Sequence, residues 1–219
     1  MYRMSSADRV LAYSIAGAAG FVDASGFLAA DRYFVSFMSG NTTRLGVELA
    51  RGSTAAAIAA MLLAGFVVGV ALGALVADRF EPWRKTSVLV TSTILLLAAA
   101  AAQAFGLTLG LLLGAVLAMG AINNVFRKSG EVALGVTYMT GALVRVGEGL
   151  AGLIKRSAQR RRGAFESMLL WASLSGGGCI GALVYLNAQT AVGWLGALWV
   201  LALALFAWRI EARESVQAN

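Results

Sequence analysis

The sequence predicts an all-α polytopic membrane protein of six transmembrane helices, built as two inverted three-helix repeats with broken or re-entrant segments near residues 37–50 and 138–151. Three observations carry that prediction. Of the 219 residues, 59% are hydrophobic and 13% charged, against about a quarter charged in ordinary soluble domains. The uncharged gaps have the lengths of one or of two membrane crossings. One stretch of the first half recurs in the second at an offset of 101 residues.

A helix needs about 20 apolar residues to cross about 30 Å of hydrocarbon. The first run, residues 10–30, meets that length and is interrupted by Asp23. Its basic flank (Arg3, Arg9) and small residues at 16–18 also fit a secretory signal, but the repeat includes the segment, which assigns it to the mature protein. Between Arg51 and Asp78 lie 26 uncharged residues, giving a second span over 54–77. Between Lys85 and Arg127 lie 41, about twice the bilayer thickness as one rod, so two helices are required, 86–104 and 107–125, with the turn at Phe105-Gly106. The 42 uncharged residues between Glu166 and Arg209 divide at the polar run 187–190 into 167–186 and 192–210. The chain is then a single transmembrane domain: repeat 1 over about 9–105, repeat 2 over about 106–211, and a basic loop at 152–166.

Orientation follows from Lys and Arg in the short loops. The net charge is +7, and with the N-terminus inside, 15 basic residues fall on the cytoplasmic side and 3 (Arg32, Arg44, Arg51) outside, so both termini are cytoplasmic. An eight-span alternative, in which the polar segments near 40 and 141 also cross, dilutes the split to 10 against 6. Trp83, Trp194 and Trp208 lie at span ends, where indole rings favour the interface. The run at 155–162, which resembles a nucleic-acid patch in isolation, reads in this position as a topology determinant contacting anionic lipid, with no nucleic-acid partner.

The repeat aligns residues 35–50 with 136–151, seven of sixteen positions identical, among them Met38 with Met139, Gly40 with Gly141 and Arg44 with Arg145. The same offset lays Asp23 over Asn124. Three spans per copy is an odd number, so the second copy enters the membrane from the opposite side. Inverted copies commonly build a site that opens alternately to the two faces, and interrupted segments at matched positions point to it.

With no His and one cysteine, Cys179, the chain offers no disulfide, no His or Cys metal cluster and no imidazole base. It also lacks a P-loop. No cofactor, metal or enzymatic activity is expected. Asp23 is the one carboxylate well inside a span, where a charge costs about 2.5 to 3.5 kcal/mol, so it reads either as a proton or cation coupling site or as a structural anchor for Arg44 or the segment after Gly40. Asn41, Thr42 and Thr43 open a helical stretch over 42–50 with Asn41 as N-cap; they form a polar site with Thr140 of the second copy, or simply cap an interfacial helix. Arg44 and Arg145 either neutralise Glu48 and Glu148 beside them, or bridge to Asp23 outside and to Asn123 or Asn124 inside as two alternating latches. Small-residue stripes, Gly65, Gly69 and Gly73, then Gly106, Gly110 and Gly114, then Gly177 and Gly181, permit close helix packing within the chain, or form the seam of a homodimer. Trp171, Tyr185 and Trp199 line a cavity or face lipid.

The segments 20–28 (Gly-Phe-Val-Asp-Ala-Ser-Gly-Phe-Leu), 37–43 (Phe-Met-Ser-Gly-Asn-Thr-Thr), 123–127 (Asn-Asn-Val-Phe-Arg) and 137–141 (Thr-Tyr-Met-Thr-Gly) together resemble the YoaK-like family of bacterial membrane proteins, a domain-of-unknown-function family, over nearly the whole chain. The chain departs from that pattern at Ser39, often Thr in the family, and at Ala142 and Leu143, which replace the Asn and Thr of the first copy. The resemblance implies a multi-pass protein of the bacterial cytoplasmic membrane and implies no substrate. The expected partners are the lipid bilayer and an unidentified small solute. The expected function is a secondary transporter or facilitator of a small polar solute, proton-coupled through Asp23. The alternative is a non-transporting membrane scaffold or assembly partner that associates through its Gly-rich faces.

Overall fold

A computed structural model describes residues 5–128, 131–132, 137–154 and 158–218. Its elements are α1 (Ser6–Ala29), α2 (Met38–Ala50), α3 (Ala55–Arg79), a 3-10 turn (Glu81–Trp83), α4 (Arg84–Ala104), α5 (Thr108–Ile122), a two-residue antiparallel ladder of β1 (Arg127–Lys128) with β2 (Glu131–Val132), then α6 (Met139–Ile154), α7 (Ala158–Asn187) and α8 (Val192–Ala218). Among the described residues five helices, α1, α3, α4, α7 and α8, are long and apolar enough to cross a membrane.

Local chemistry fixes most boundaries. Ser5 caps α1, its hydroxyl accepting the Asp8 amide at 3.0 Å. The expected turn at Phe105-Gly106 is present, with Gly106 at φ 73°, a left-handed conformation that glycine adopts without strain. The fourth expected span is shorter than the 107–125 read from composition, because α5 stops at Ile122 after 15 residues. Asn123 and Asn124 end it: their side-chain amides donate to the carbonyls of Met119 (2.8 Å) and Ala121 (3.3 Å), substituting for the next turn of backbone. In the other direction α7 and α8 run past their expected ends, since the flanking residues carry charge but nothing that breaks a helix. Residues 155–157 of the basic loop lie outside the described residues.

The bundle is held by close helix crossings. The most extensive contacts are α1 with α7, α4 with α8, α4 with α5, α6 with α7 and α3 with α5. Glycine makes the nearest of these crossings possible. A Cβ on Gly177 would overlap the backbone of Gly17, and one on Gly181 the backbone of Phe21, so α7 lies directly on α1. Gly69 and Gly73 meet the backbone at Leu117 and Ala121 in the same manner, and Gly65 faces Val116, binding α3 to α5. Gly110 and Gly114 face Ala102 and Ala99 of α4. Seven of the eight stripe glycines are therefore used within the chain, and Gly106 serves the α4–α5 turn instead of a packing face. Around these crossings Leu11, Ile15, Leu62, Val88, Leu89, Val116, Met119 and Ile122 are fully buried. Val67, Leu75, Ile94, Leu183 and Leu205 are exposed on the outer faces, as lipid-facing positions should be.

Charged contacts gather one set of helix ends. Arg9 of α1 reaches Glu166 of α7 (3.5 Å), Arg127 beyond α5 reaches Asp78 of α3 (3.0 Å), and Lys85 of α4 reaches Asp8 of α1 (2.8 Å) and Glu214 of α8 (3.3 Å). At the opposite end the contacts that join separate helices are neutral, Tyr33 Oη donating to the Ala55 carbonyl (3.1 Å) and Gln103 Nε2 to the Gln189 carbonyl (3.4 Å), and the ion pair of Arg51 with Glu48 (3.5 Å) is local to the end of α2.

The crossing geometry predicts contrasting effects for two adjacent glycines. Gly177→Ala pushes a methyl into the α1 backbone and should destabilise the protein by about 1 to 3 kcal/mol. Gly176, whose Cβ position is open, should tolerate Ala and gain about 0.5 to 1 kcal/mol of helix propensity. Thermal melts of both variants in detergent check the pair, and equal shifts would contradict the packing.

Candidate functional site

Asp23 lies six residues before the end of α1, about 9 Å along the helix. The chain leaves α1 through Asp31 (φ 51°) and Arg32 (φ 63°), two consecutive left-handed residues that reverse it sharply, and runs back beside the helix. That return brings the amides of Val35 and Ser36 to 2.8 Å from one oxygen of Asp23, with the Ser36 hydroxyl and the Phe37 amide also directed at the carboxylate. The helix α2 then starts at Met38. Asp23 thus meets the positive end of α2 from a neighbouring helix, where a local N-cap usually sits.

Asn41 holds the same turn from the other side. Its amide nitrogen donates to the Phe34 carbonyl (2.7 Å) and its oxygen accepts the Phe34 amide (3.1 Å), with the side chain fully buried. It lies in the first turn of α2, so the expected helix start at Thr42 with Asn41 as N-cap is corrected: α2 starts at Met38 after Phe37, and Asn41 pairs with backbone seven residues earlier. Gly40 sits under the ring of Phe37, where a Cβ would approach to 2.6 Å, and Gly141 sits under Tyr138 at 2.7 Å. The offset of 101 relates these two pairs, which accounts for the aromatic-Met-[Ser/Thr]-Gly pattern of both copies.

In the second half Asn123 accepts the Thr137 hydroxyl at 3.2 Å just before α6, while Asn124 turns to α3 and donates to the Val70 carbonyl at 3.0 Å. The two asparagines share the work that Asp23 does alone: one holds the returning chain, the other anchors the helix end. Thr140 is exposed in the first turn of α6. Thr42 and Thr43 bond back to the carbonyls of Met38 and Ser39 and are exposed, so neither lines a buried site.

The arginines do not form the expected latches in this structure. Arg44 donates to the Asp31 carbonyl and stacks 3.7 Å from the centroid of the buried Tyr33 ring, steadying the left-handed turn instead of pairing with Asp23. Glu48 pairs with Arg51 (3.5 Å), not Arg44. Arg145 and Glu148 are both exposed on α6 and form no ion pair among the described residues. Trp199 packs edge-on against Phe21, Trp171 is partly exposed, and Tyr185 accepts from Gln189.

Two features escaped the sequence reading. The neutral end of the bundle opens a crevice between α1, α4, α5 and α8, lined by Ser25, Ala100, Gln103, Leu111 and Gly193 among others, with room for about 20 Å³, roughly one water. At the charged end, Asp8, Lys85 and Glu211 are buried together. Glu211 accepts the Lys85 amide (2.7 Å), the Thr86 amide (3.1 Å) and the Thr86 hydroxyl (2.6 Å), capping α4 from α8. Counted only as loop charges, these residues looked like topology signals. Their adjacency to span ends, acid and base alike, was the available clue.

A family model described as a protein of unknown function (DUF1275) matches residues 11–208. The chain is also 34% identical over 212 residues, 96% of its own length and 91% of the relative's, to a UPF0700 transmembrane protein of Rhizobium meliloti (strain 1021). No solved structure matches.

The capping geometry separates the polar residues by energetic weight. Asp23→Ala strands the Val35 and Ser36 amides and should cost about 3 kcal/mol, and Asn41→Ala about 2 kcal/mol. Thr42→Ala and Thr43→Ala should stay within about 0.5 kcal/mol. Denaturation in detergent, with hydrogen exchange at Val35 and Ser36, reads the difference. Equal losses at all four positions would contradict the assignment.

Proposed function

The chain belongs to the DUF1275 family, and we propose that it is a secondary carrier or facilitator for a small polar solute, built from two inverted repeats in the bacterial cytoplasmic membrane with both termini inside. The YoaK-like motifs are the narrower likeness within that reading. It is non-enzymatic and needs no cofactor.

The observation that carries the reading is the pair of interrupted segments at matched positions. In each half the chain leaves a helix (α1 or α5), is held by a side chain of that helix's end region (Asp23, or Asn123 through Thr137), and starts a new helix at Met38 or at its equivalent Met139. Interrupted helices at corresponding places of inverted copies are the usual location of a carrier's site.

Packing supports the repeat independently. The offset of 101 maps α1 to α5 and α3 to α7, and the intimate crossings are α1 on α7 and α5 on α3, each half lending a helix to the other. One close approach of each crossing also corresponds. Gly20 lies against Leu174, and their equivalents Ala121 and Gly73 lie against each other, with the glycine on the opposite partner. Each half then has three long or apolar helices (α1, α3, α4; α5, α7, α8), an odd number, with α5 as the shortened sixth span. The gathering of charged contacts at one end of the bundle agrees with the charge split that sets the termini inside.

Asp23 is the coupling residue of this proposal. Protonation weakens its hold on the Val35 and Ser36 amides, since charge-assisted bonds are about twice as strong as neutral ones, and so loosens the start of α2. The rival scaffold reading loses its main support, because the glycines offered for a seam between copies are occupied inside the chain.

Proteoliposomes given pooled small polar metabolites test the proposal. At least one solute should enter protein-containing vesicles above empty ones, faster under an imposed proton gradient, and Asp23→Asn should retain uptake but lose the gradient response. No uptake of any solute removes the carrier reading. A gradient response that survives Asp23→Asn removes Asp23 as the coupling group.

A further inference from the structure

The buried ionic cluster and the crevice lie at opposite ends of the same helices. At one end Lys85 Nζ is 2.8 Å from Asp8 and 3.3 Å from Glu214, while Glu211 takes the amides of Lys85 and Thr86 and the Thr86 hydroxyl. Asp8 and Lys85 belong to the first half and Glu211 and Glu214 to the second, so the cluster ties the halves together across α1, α4 and α8. Directly beneath it Leu11, Ile15, Val88, Leu89 and Ala207 are 0% exposed, and the bundle is sealed.

At the other end α1, α4, α5 and α8 surround the crevice at Ser25 and Gln103, where Gly193 of α8 packs on Ala100 of α4 and Gln103 donates an exposed 3.4 Å hydrogen bond to the Gln189 carbonyl. The cluster has no counterpart there. The offset of 101 relates Asp8 to Leu109, Lys85 to Leu186 and Glu211 to Gly110, all uncharged. The cluster shares this lack of a counterpart with the pairs Arg9–Glu166 and Asp78–Arg127, and differs from them in being buried.

Energetics favour a contact made for breaking. A buried ion pair often does no better than apolar residues of the same volume, because desolvation offsets the attraction. An ion cluster at a helix end can open into water, where each charge and each capped amide regains solvent partners. An apolar seal cannot do so without loss. Packed helices also shift between discrete arrangements more readily than they deform, so a reversible contact between the halves selects one arrangement.

We propose that Asp8, Lys85, Thr86, Glu211 and Glu214 form the inner gate of a transport path that runs along α1, α4 and α8 toward the crevice at Ser25 and Gln103, and that this gate is shut in the conformation described here. The gate rests on the carrier reading above. Opening it separates α8 from α4 and α1 at the charged end, and the same rocking closes the crevice.

Side-specific labelling of the full-length protein in membrane vesicles tests this, in a Cys179→Ser background with Gln103→Cys, at the rim of the crevice, as the outer reporter or Ala207→Cys as the inner one. With the gate intact, an impermeant maleimide should reach the Gln103 reporter from outside and leave the Ala207 reporter inert from both sides. Lys85→Met should raise inner labelling roughly tenfold and lower outer labelling by a similar factor, a two-state population shift. Lys85→Arg should keep the native pattern. If Lys85→Met does not assemble, Glu214→Gln, which removes the most exposed member, should give the same reciprocal change at smaller size. Inner labelling that rises while outer labelling stays constant makes the cluster a structural staple and overturns the gate alone, as does no change at either reporter when the outer one is reactive. Both reporters inert in every background means a solid bundle, which overturns the gate and the carrier reading together.

Discussion

A backbone amide or carbonyl that leaves a helix within a bilayer has no water to bond, and each one left unpaired costs several kcal/mol. The places where this chain departs from helix are the places where its scarce polar side chains are spent. Asp23 receives the amides of Val35 and Ser36, Asn41 pairs with both backbone groups of Phe34, Asn123 and Asn124 take the last carbonyls of α5, and Glu211 receives the first amides of α4. Buried hydroxyls follow the same rule inside helices: Ser25, Ser92 and Thr93 donate to carbonyls three or four residues earlier. With 13% of residues charged, few such groups are left over.

The second constraint is proximity. Where Gly177 meets Gly17 and Gly69 meets Leu117, two helix backbones touch with no side chain between them. Such crossings have no slack, so α1 with α7 and α3 with α5 behave as two rigid pairs. α4 joins the second pair through Gly110 and Gly114, and α8 packs on α4 and α1 through alanines, small polar residues and the charged cluster. A rocking carrier needs stiff units and a surface on which they slide, and this division supplies both in the proposed mechanism.

Much of the fold was legible because the bilayer imposes a length on every span. The charge gaps alone placed the turns at Phe105-Gly106 and at 187–190, where the helices do end. The exception, α5, came from a local competition: Asn123 and Asn124 bond their own helix's carbonyls, and composition weighed them as two polar residues in an apolar run. The candidate site was legible by identity more than by geometry. Asp23 and Asn41 both hold the return from α1 to α2, but Arg44, expected to pair with a carboxylate, uses a carbonyl and a ring, since a left-handed turn at Asp31 and Arg32 cannot be read from non-glycine residues. Lys85 and Glu211 were missed altogether. Each sits one residue beyond an expected span, 126 residues apart, and only the approach of α8 to α4 makes them partners.

Side-specific accessibility at equivalent joints tests the inverted repeat most directly. The α3–α4 joint and the α7–α8 joint occupy the same place in the two copies, so Glu81→Cys and Gln189→Cys, each in a Cys179→Ser background, should be labelled from opposite faces of the membrane. Inversion predicts that Glu81→Cys reacts only from the cytoplasmic side and Gln189→Cys only from outside. Labelling of both positions from the same side would contradict it, and with it the symmetry on which the proposed carrier is built.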